Sequence, residues 1–244
     1  MFTLFIKEIS SFLSSLIGYI VIIVFLTIIG LFMWVFPGDF NIMNAGYANI
    51  DTLFVIAPLV FMFLVPAITM RSFADEKKTG TIELFLTRPL TDLQIILAKY
   101  LAGLSLVVFS LLPTLVYYYS VNALGNPSGN IDTGGMWGSY LGLLFLASAF
   151  VAIGIFSSSI TENQIVAFIL AVFLCFFCYV GFESVSALEL FGKADRLIML
   201  LGINEHYISM SRGVIDTRDV LYFLSLISLF ILFTKTILES RKWN

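Results

Sequence analysis

Three patterns in the chain have the residue types that do chemistry. Cys175 and Cys178 form a C-x-x-C, the spacing of redox pairs and of half a zinc site. Gly192-Lys193 is the lone Gly-Lys pair, the step that closes a phosphate-cradling P-loop. His206 is the sole histidine, and imidazole is the side chain best poised to move protons near neutral pH. Each lacks its partners. The cysteines sit in FLCFFCYV with no further cysteine and no nearby histidine, so they read as small apolar packing residues. Ala194 follows Gly192-Lys193 where Ser or Thr is needed, and Ala187 stands where the first P-loop glycine belongs. His206 has no serine-triad or zinc companions and reads as an interface residue near the outer surface. The sequence assigns this chain no catalytic residue, no metal and no cofactor.

The elements around these residues are those of a membrane protein. The chain has 244 residues, 59% hydrophobic and 12% charged, with a mean hydropathy of +1.00. Soluble domains carry about a quarter charged residues. The net charge of −3 gives no basic footprint for nucleic acid. A bilayer core of about 30 Å needs roughly 20 helical residues. The pattern predicts an all-α, single-domain polytopic protein with spans at 16–36, 52–71, 93–121, 136–161, 163–182 and 220–238. The first span is too long and lacks the small-residue site of a cleavable signal.

Lysine and arginine set the orientation. With the N-terminus inside, the inner side holds Lys7, Arg71, Lys77, Lys78, Arg88, Lys99, Lys235, Arg241 and Lys242. The outer side holds Lys193, Arg196, Arg212 and Arg218. Both termini are therefore expected on the cytosolic side. Over residues 1–15, Phe2, Phe5, Ile6, Ile9 and Leu13 recur at helical spacing. That pattern fits a helix lying in the interface or an extension of the first span. Pro58, Pro66 and Pro113 fall inside spans, as static kinks or as hinges. Gly138/Gly142, Ser148/Ala152 and Gly154/Ser158 repeat a small-xxx-small pattern that lets helices approach closely, within one subunit or between two. Residues 122–135 read as a Gly-rich outer loop, and 183–219 as an outer segment with short re-entrant helices. Gly213 reads as a turn, and Asp216-Thr217-Arg218-Asp219 as a helix start.

The one charged stretch between apolar spans is RSFADEKKTGTIELFLTRPLTDLQIILAK, Arg71 to Lys99. The spans themselves carry almost no deep charge of the kind ion-coupled transporters use, so energy is expected to enter through this stretch. Ala74–Thr79 is expected to be charged and exposed, with Gly80 as a break. Thr81–Thr87 can form two helical turns that stop at Arg88, the residue before Pro89. Ile82, Phe85 and Leu86 share one face, with Glu83 turned away. Thr91 and Gln94 have the spacing of a capping box for the third span. The short helix could rest on lipid headgroups or dock in a partner's groove. The mixed-sign flank Asp75, Glu76, Lys77 and Lys78 favours a protein partner.

At Arg71, Glu76, Gly80-Thr81, Glu83-Leu84, Leu86, Pro89 and Ile96–Ala102 the chain resembles the loop between the second and third helices of ABC-2 type transporter permeases. Ser209–Leu226 resembles the approach to that family's last helix. The likeness covers nearly the whole chain. It is strongest to the gliding-motility (GldF-like) branch, with NosY-like permeases more distant. It implies a coupling helix at Thr81, Ile82, Glu83, Leu84, Phe85, Leu86, Thr87 and Arg88, and a connecting interfacial helix carrying Phe2, Phe5, Ile6 and Ile9. It also implies pairing with a homodimer mate or a GldG-like second membrane subunit, over a cytosolic GldA-like ATPase that holds ATP and Mg. The function implied is a permease subunit that couples ATP hydrolysis on a partner chain to export or conformational work. The alternative is a mechanical subunit acting on periplasmic partners without passing a substrate. A membrane-embedded enzyme would need a polar catalytic cluster that the sequence lacks.

Overall fold

A computed structural model describes residues 1–44, 46–81, 91–190 and 192–240. Among them the regular elements are all helical, and six helical segments are long and apolar enough to cross a membrane. An N-terminal helix, α1 (Phe2–Leu13), precedes α2 (Leu16–Gly30), whose last turn widens over Leu31–Val35. The second segment is α3 (Asp51–Thr69) continued by α4 (Arg71–Lys78). The third is α5 (Asp92–Leu111), a 3-10 turn at Leu112–Thr114, and α6 (Leu115–Leu124). The fourth is α7 (Thr133–Ile160). The fifth is α8 (Gln164–Phe176), a wide turn at Phe177–Gly181 and α9 (Phe182–Ser186). Short helices α10 (Asp195–Met199) and α11 (Ile203–Ser211) lead to the sixth, α12 (Thr217–Ser240).

Side-chain caps set where the segments begin. A helix start leaves its first amides unpaired, and a short polar side chain just before it can accept from them. Ser15 accepts from Gly18, Asp132 from Gly135 and Asn163 from Ile165. Thr91 and Gln94 form both bonds of the expected capping box, at 3.3 and 3.2 Å. Asp216 accepts from the Arg218 amide at 2.9 Å, following a turn in which Gly213 has φ +80°. That amide holds the Asp216 carboxyl below its ordinary range, so the cap keeps its anionic form to lower pH.

The central element is α7, with 78% of its most apolar stretch buried. In the first, fifth and sixth segments that share is 28%, 28% and 22%, so these are peripheral and present apolar faces outward. The small residues of α7 are spent inside the chain. A Cβ on Gly142 would stand 2.6 Å from the Met210 Cβ of α11, and one on Gly154 would overlap Thr69 of α3. Ser139 donates to the Ser211 carbonyl at 2.8 Å. Without side chains in the way, the helices approach to backbone contact.

The prolines are accommodated in different ways. At Pro113 the third segment tightens into its 3-10 turn. Through Pro58 and Pro66 α3 continues unbroken. Pro58 has no N–H to give the Phe54 carbonyl four residues back. The Tyr207 hydroxyl of α11 donates to that carbonyl at 2.7 Å, so a neighbouring helix satisfies the group the proline freed.

The second segment is longer than the sequence reading made it. The sequence ends the span at Arg71 and leaves Ala74–Thr79 exposed; the helix itself runs on to Lys78, with Phe73 and Ala74 fully buried, Asp75, Glu76 and Lys77 half-buried, and Lys78 and Thr79 exposed as expected. A charged sequence does not end a helix whose apolar residues meet a neighbour on one face. The helix ends at Thr79, and Gly80 follows at φ +69°.

Candidate functional site

The charged stretch is built on α4 and the start of α5. Three of its four flanking charges are engaged within the chain. The Asp75 carboxylate accepts from the Gln164 amide at the start of α8, and Lys77 Nζ donates to the Ser159 carbonyl at the end of α7. Glu76 pairs with Lys99 of α5 at 2.8 Å. Lys78 is exposed. Thr81, also exposed, shares a hydrogen bond with Thr79 at 2.9 Å. Ile82, Glu83, Leu84, Phe85, Leu86, Thr87 and Arg88 lie outside the described residues.

Lys99 is the pivot. Its side chain is only 1% exposed. Nζ donates to Glu8 Oε1 of α1 at 3.0 Å, to Glu76 Oε1 of α4 at 2.8 Å and to the Ser72 carbonyl at 2.7 Å. It also lies 5.1 Å from the centre of the Phe73 ring, within cation–π range. An ammonium taken out of water is tolerable only when its donors are paired in this way. One cation thereby ties the N-terminal helix and both helices flanking the loop into a single unit.

Ser158, near the end of α7, fixes this unit to the core. Its Oγ accepts from the Phe73 amide at 2.9 Å and the Ala74 amide at 3.0 Å, and donates to the Met70 carbonyl at 3.0 Å. The first turn of α4 has no side-chain cap of its own, so a serine from another helix supplies it.

The N-terminal helix uses two faces. Leu4 and Glu8 turn inward, Leu4 being buried and Glu8 reaching Lys99. Phe5 packs against the core, and Ile9 is half-buried. Phe2 and Ile6 are exposed, as is Leu13. The apolar set that the sequence singled out therefore divides between the protein and its surroundings.

The opposite end of the bundle holds a cavity of about 1090 Å³. Residues from 42–43, 46–55 and 121–139 and the end of α11 line it. His206 lies at this end with more partners than the sequence suggested. Nδ1 is 2.7 Å from Asp219 Oδ1, Nε2 is 3.0 Å from the Leu200 carbonyl, and the ring stacks 3.9 Å from Tyr222. It clamps α11 to α12. Cys175 and Cys178 are both free and buried.

Glu8 and Ser158 are the residues that sequence reasoning missed. The sequence counts Lys99 only among the inner-side charges, although a lysine between Ala98 and Tyr100 in an apolar helix is a visible signal that it needs partners.

Fold and site together define a multi-pass helical membrane protein with one charged, internally braced end. The family model of ABC-2 family transporter proteins matches residues 39–237, and the chain belongs to that family. It is a transmembrane permease component of an ABC transporter, a class that works in the bilayer with an ATPase partner. No curated protein matches the chain.

Proposed function

We propose that this chain is the permease subunit of a gliding-motility type ABC transporter in a bacterial inner membrane. Both termini and the Arg71–Lys99 end face the cytoplasm. ATP and Mg reside on a separate GldA-like ATPase, and a GldG-like subunit or a second copy completes the membrane part. The coupling contact is Thr81–Arg88, with Ile82, Phe85 and Leu86 facing the ATPase. Lys78 flanks that contact from the chain side. Asp75, Glu76 and Lys77 brace it from behind rather than touching the partner. Exposed Phe2 and Ile6 rest α1 in the cytoplasmic interface.

The carrying observation is the Lys99 unit. A push on the loop reaches α4 and α5 together, because Glu76 and Lys99 join them at 2.8 Å. It also reaches α7 through Ser158. From α7 it passes to α11 and the far cavity through the close contacts at Gly142 and Ser139.

Phe85→Asp tests the contact. A charge at the centre of a buried apolar contact leaves an unpaired carboxylate there, a loss of about 2–4 kcal/mol at a hot spot. Affinity capture of the tagged native complex is expected to recover the ATPase with the wild-type chain and to lose most of it with Phe85→Asp. Equal recovery from both, with unchanged ATP hydrolysis, would place the contact elsewhere.

A further inference from the structure

We propose that His206 is a proton-operated clasp: with a hydrogen at each ring nitrogen it holds the α10–α11 turn, and loss of one proton releases that turn. The clasp lies at the opposite end of the bundle from Lys99 and does not depend on the coupling contact. Its geometry sets the proton count. Nδ1 is 2.7 Å from the Asp219 carboxylate of α12, and Nε2 is 3.0 Å from the Leu200 carbonyl just past α10. Carboxylate and carbonyl oxygens both accept, so the two contacts need two hydrogens, and a neutral imidazole carries one. The second proton lies between Nδ1 and Oδ1, and the count is the same whichever atom holds it. The Tyr222 ring, stacked at 3.9 Å and 18° from parallel, favours a positive charge over its face.

Loss of one proton leaves a single N–H for two acceptors. It stays on Nδ1, because a hydrogen bond to a carboxylate is stronger than one to a neutral carbonyl. The Nε2 lone pair then faces the Leu200 oxygen, and that contact opens. The effect is local. α11 keeps its bond to Asp219 and its contact with α7, where Ser139 donates to the Ser211 carbonyl. The Tyr222 hydroxyl still donates to the Leu201 carbonyl at 2.7 Å. No residue of α10 is buried, so its hold on the bundle depends on such tethers. Another is the Ser186 hydroxyl, which donates to the Asp195 carbonyl at 2.8 Å.

The ring can exchange protons with water, since its side chain is 13% exposed. Among the described residues Asp219 is the acid paired with it. The surrounding elements bring other titratable groups. Glu183 of α9 accepts from the Asn204 side chain at 2.8 Å. Glu205 on α11 and Asp195 on α10 are half-buried, while Arg196, Arg212, Asp216 and Arg218 are exposed. The wide turn before α9 contributes buried Cys178 and Tyr179. Of these side-chain types, imidazole is the one that ordinarily changes charge between about pH 5 and 8.

The test uses the full chain, purified without a histidine tag, with its sole histidine labelled at both ring nitrogens. Nitrogen NMR counts the ring protons. Hydrogen exchange at the Leu200, Leu201 and Gly202 amides, which bond back to the Arg196, Ile198 and Met199 carbonyls, reads the turn as protection over the intrinsic rate. Both run from about pH 5 to about pH 9, which brackets imidazole titration. At the acid end both nitrogens are expected to carry protons. As pH rises, Nε2 loses its proton and protection of the turn falls about tenfold with the same midpoint, as one hydrogen bond to a charged group is worth. Asp219→Asn separates the clasp from a merely structural contact. The asparagine N–H donates to Nδ1 and Nε2–H remains for Leu200, so a neutral ring closes both contacts and protection should not vary with pH. A ring with one proton at the acid end, or with two at the alkaline end, would overturn the proposal. So would wild-type protection that ignores the ring's titration, or an Asp219→Asn chain that keeps the wild-type pH dependence. The wild-type measurements decide the matter even if Asp219→Asn fails to fold.

Discussion

Lys99→Met lowers the unfolding midpoint of the purified protein by about 10 °C, the largest single-residue effect the structure predicts. Methionine fills much the same volume, so packing is nearly conserved. The loss is electrostatic. Glu8 and Glu76 are left facing each other without the ammonium that bridges them, and removing one partner of a buried ion pair costs about 3–5 kcal/mol. The Ser72 carbonyl loses its 2.7 Å donor as well. The cause can be isolated by removing the charges together. Lys99→Met combined with Glu8→Gln and Glu76→Gln should recover most of the lost stability, because a buried ion cluster and a neutral replacement are often nearly equivalent. A single variant as stable as wild type would show that Lys99 is not pinned by its carboxylates. A thermal melt of both proteins in one detergent makes the comparison.

Ser158→Ala is the second. It removes one oxygen and strands three groups: the Phe73 and Ala74 amides and the Met70 carbonyl. Phe73 and Ala74 are fully buried, so water does not replace the hydroxyl. At about 1–3 kcal/mol per unsatisfied buried group, the two amides alone cost about 2–6 kcal/mol. The damage should be local. Hydrogen exchange across 70–79 is expected to rise by an order of magnitude or more, since opening α4 needs less energy. The neighbouring Ser157→Ala is the control. Ser157 is buried too, but its hydroxyl serves only its own helix, donating to the Ile153 carbonyl at 2.9 Å, and its loss strands no amide. If both variants exchange alike over 70–79, Ser158 is not the cap of α4.

These two residues also show what the sequence could and could not carry. The six spans were legible because each is a long apolar run, and only a helix satisfies its own backbone in lipid. Thr91 and Gln94 were legible because a capping box is local, three residues wide. The glycines of α7 announced close packing but not their partners, which turned out to be Met210, Gly213 and Thr69 of the same chain. Lys99 and Glu8 are 91 residues apart and Ser158 and Phe73 are 85 apart. No periodicity links such positions; only the packed bundle brings them together. The length of α4 was misjudged for a related reason. Its charges suggested exit into water, while Phe73 and Ala74 in the same turn were already committed to α7.

In the function proposed for this chain, motion enters at the Arg71–Lys99 end and reaches the far cavity through α4, α5 and α7. The direct measurement is a pulsed electron-resonance distance across that cavity. Spin labels go at Met43 and Ile208, both exposed and both lining it. The assembled complex is measured without nucleotide and with ATP trapped on the partner. The predicted result is a distance distribution that shifts by several ångströms on ATP binding in wild type. It should stay at its nucleotide-free position in Lys99→Met complexes that still bind the ATPase. The same shift in wild type and Lys99→Met, or no shift in wild type, would contradict the claim.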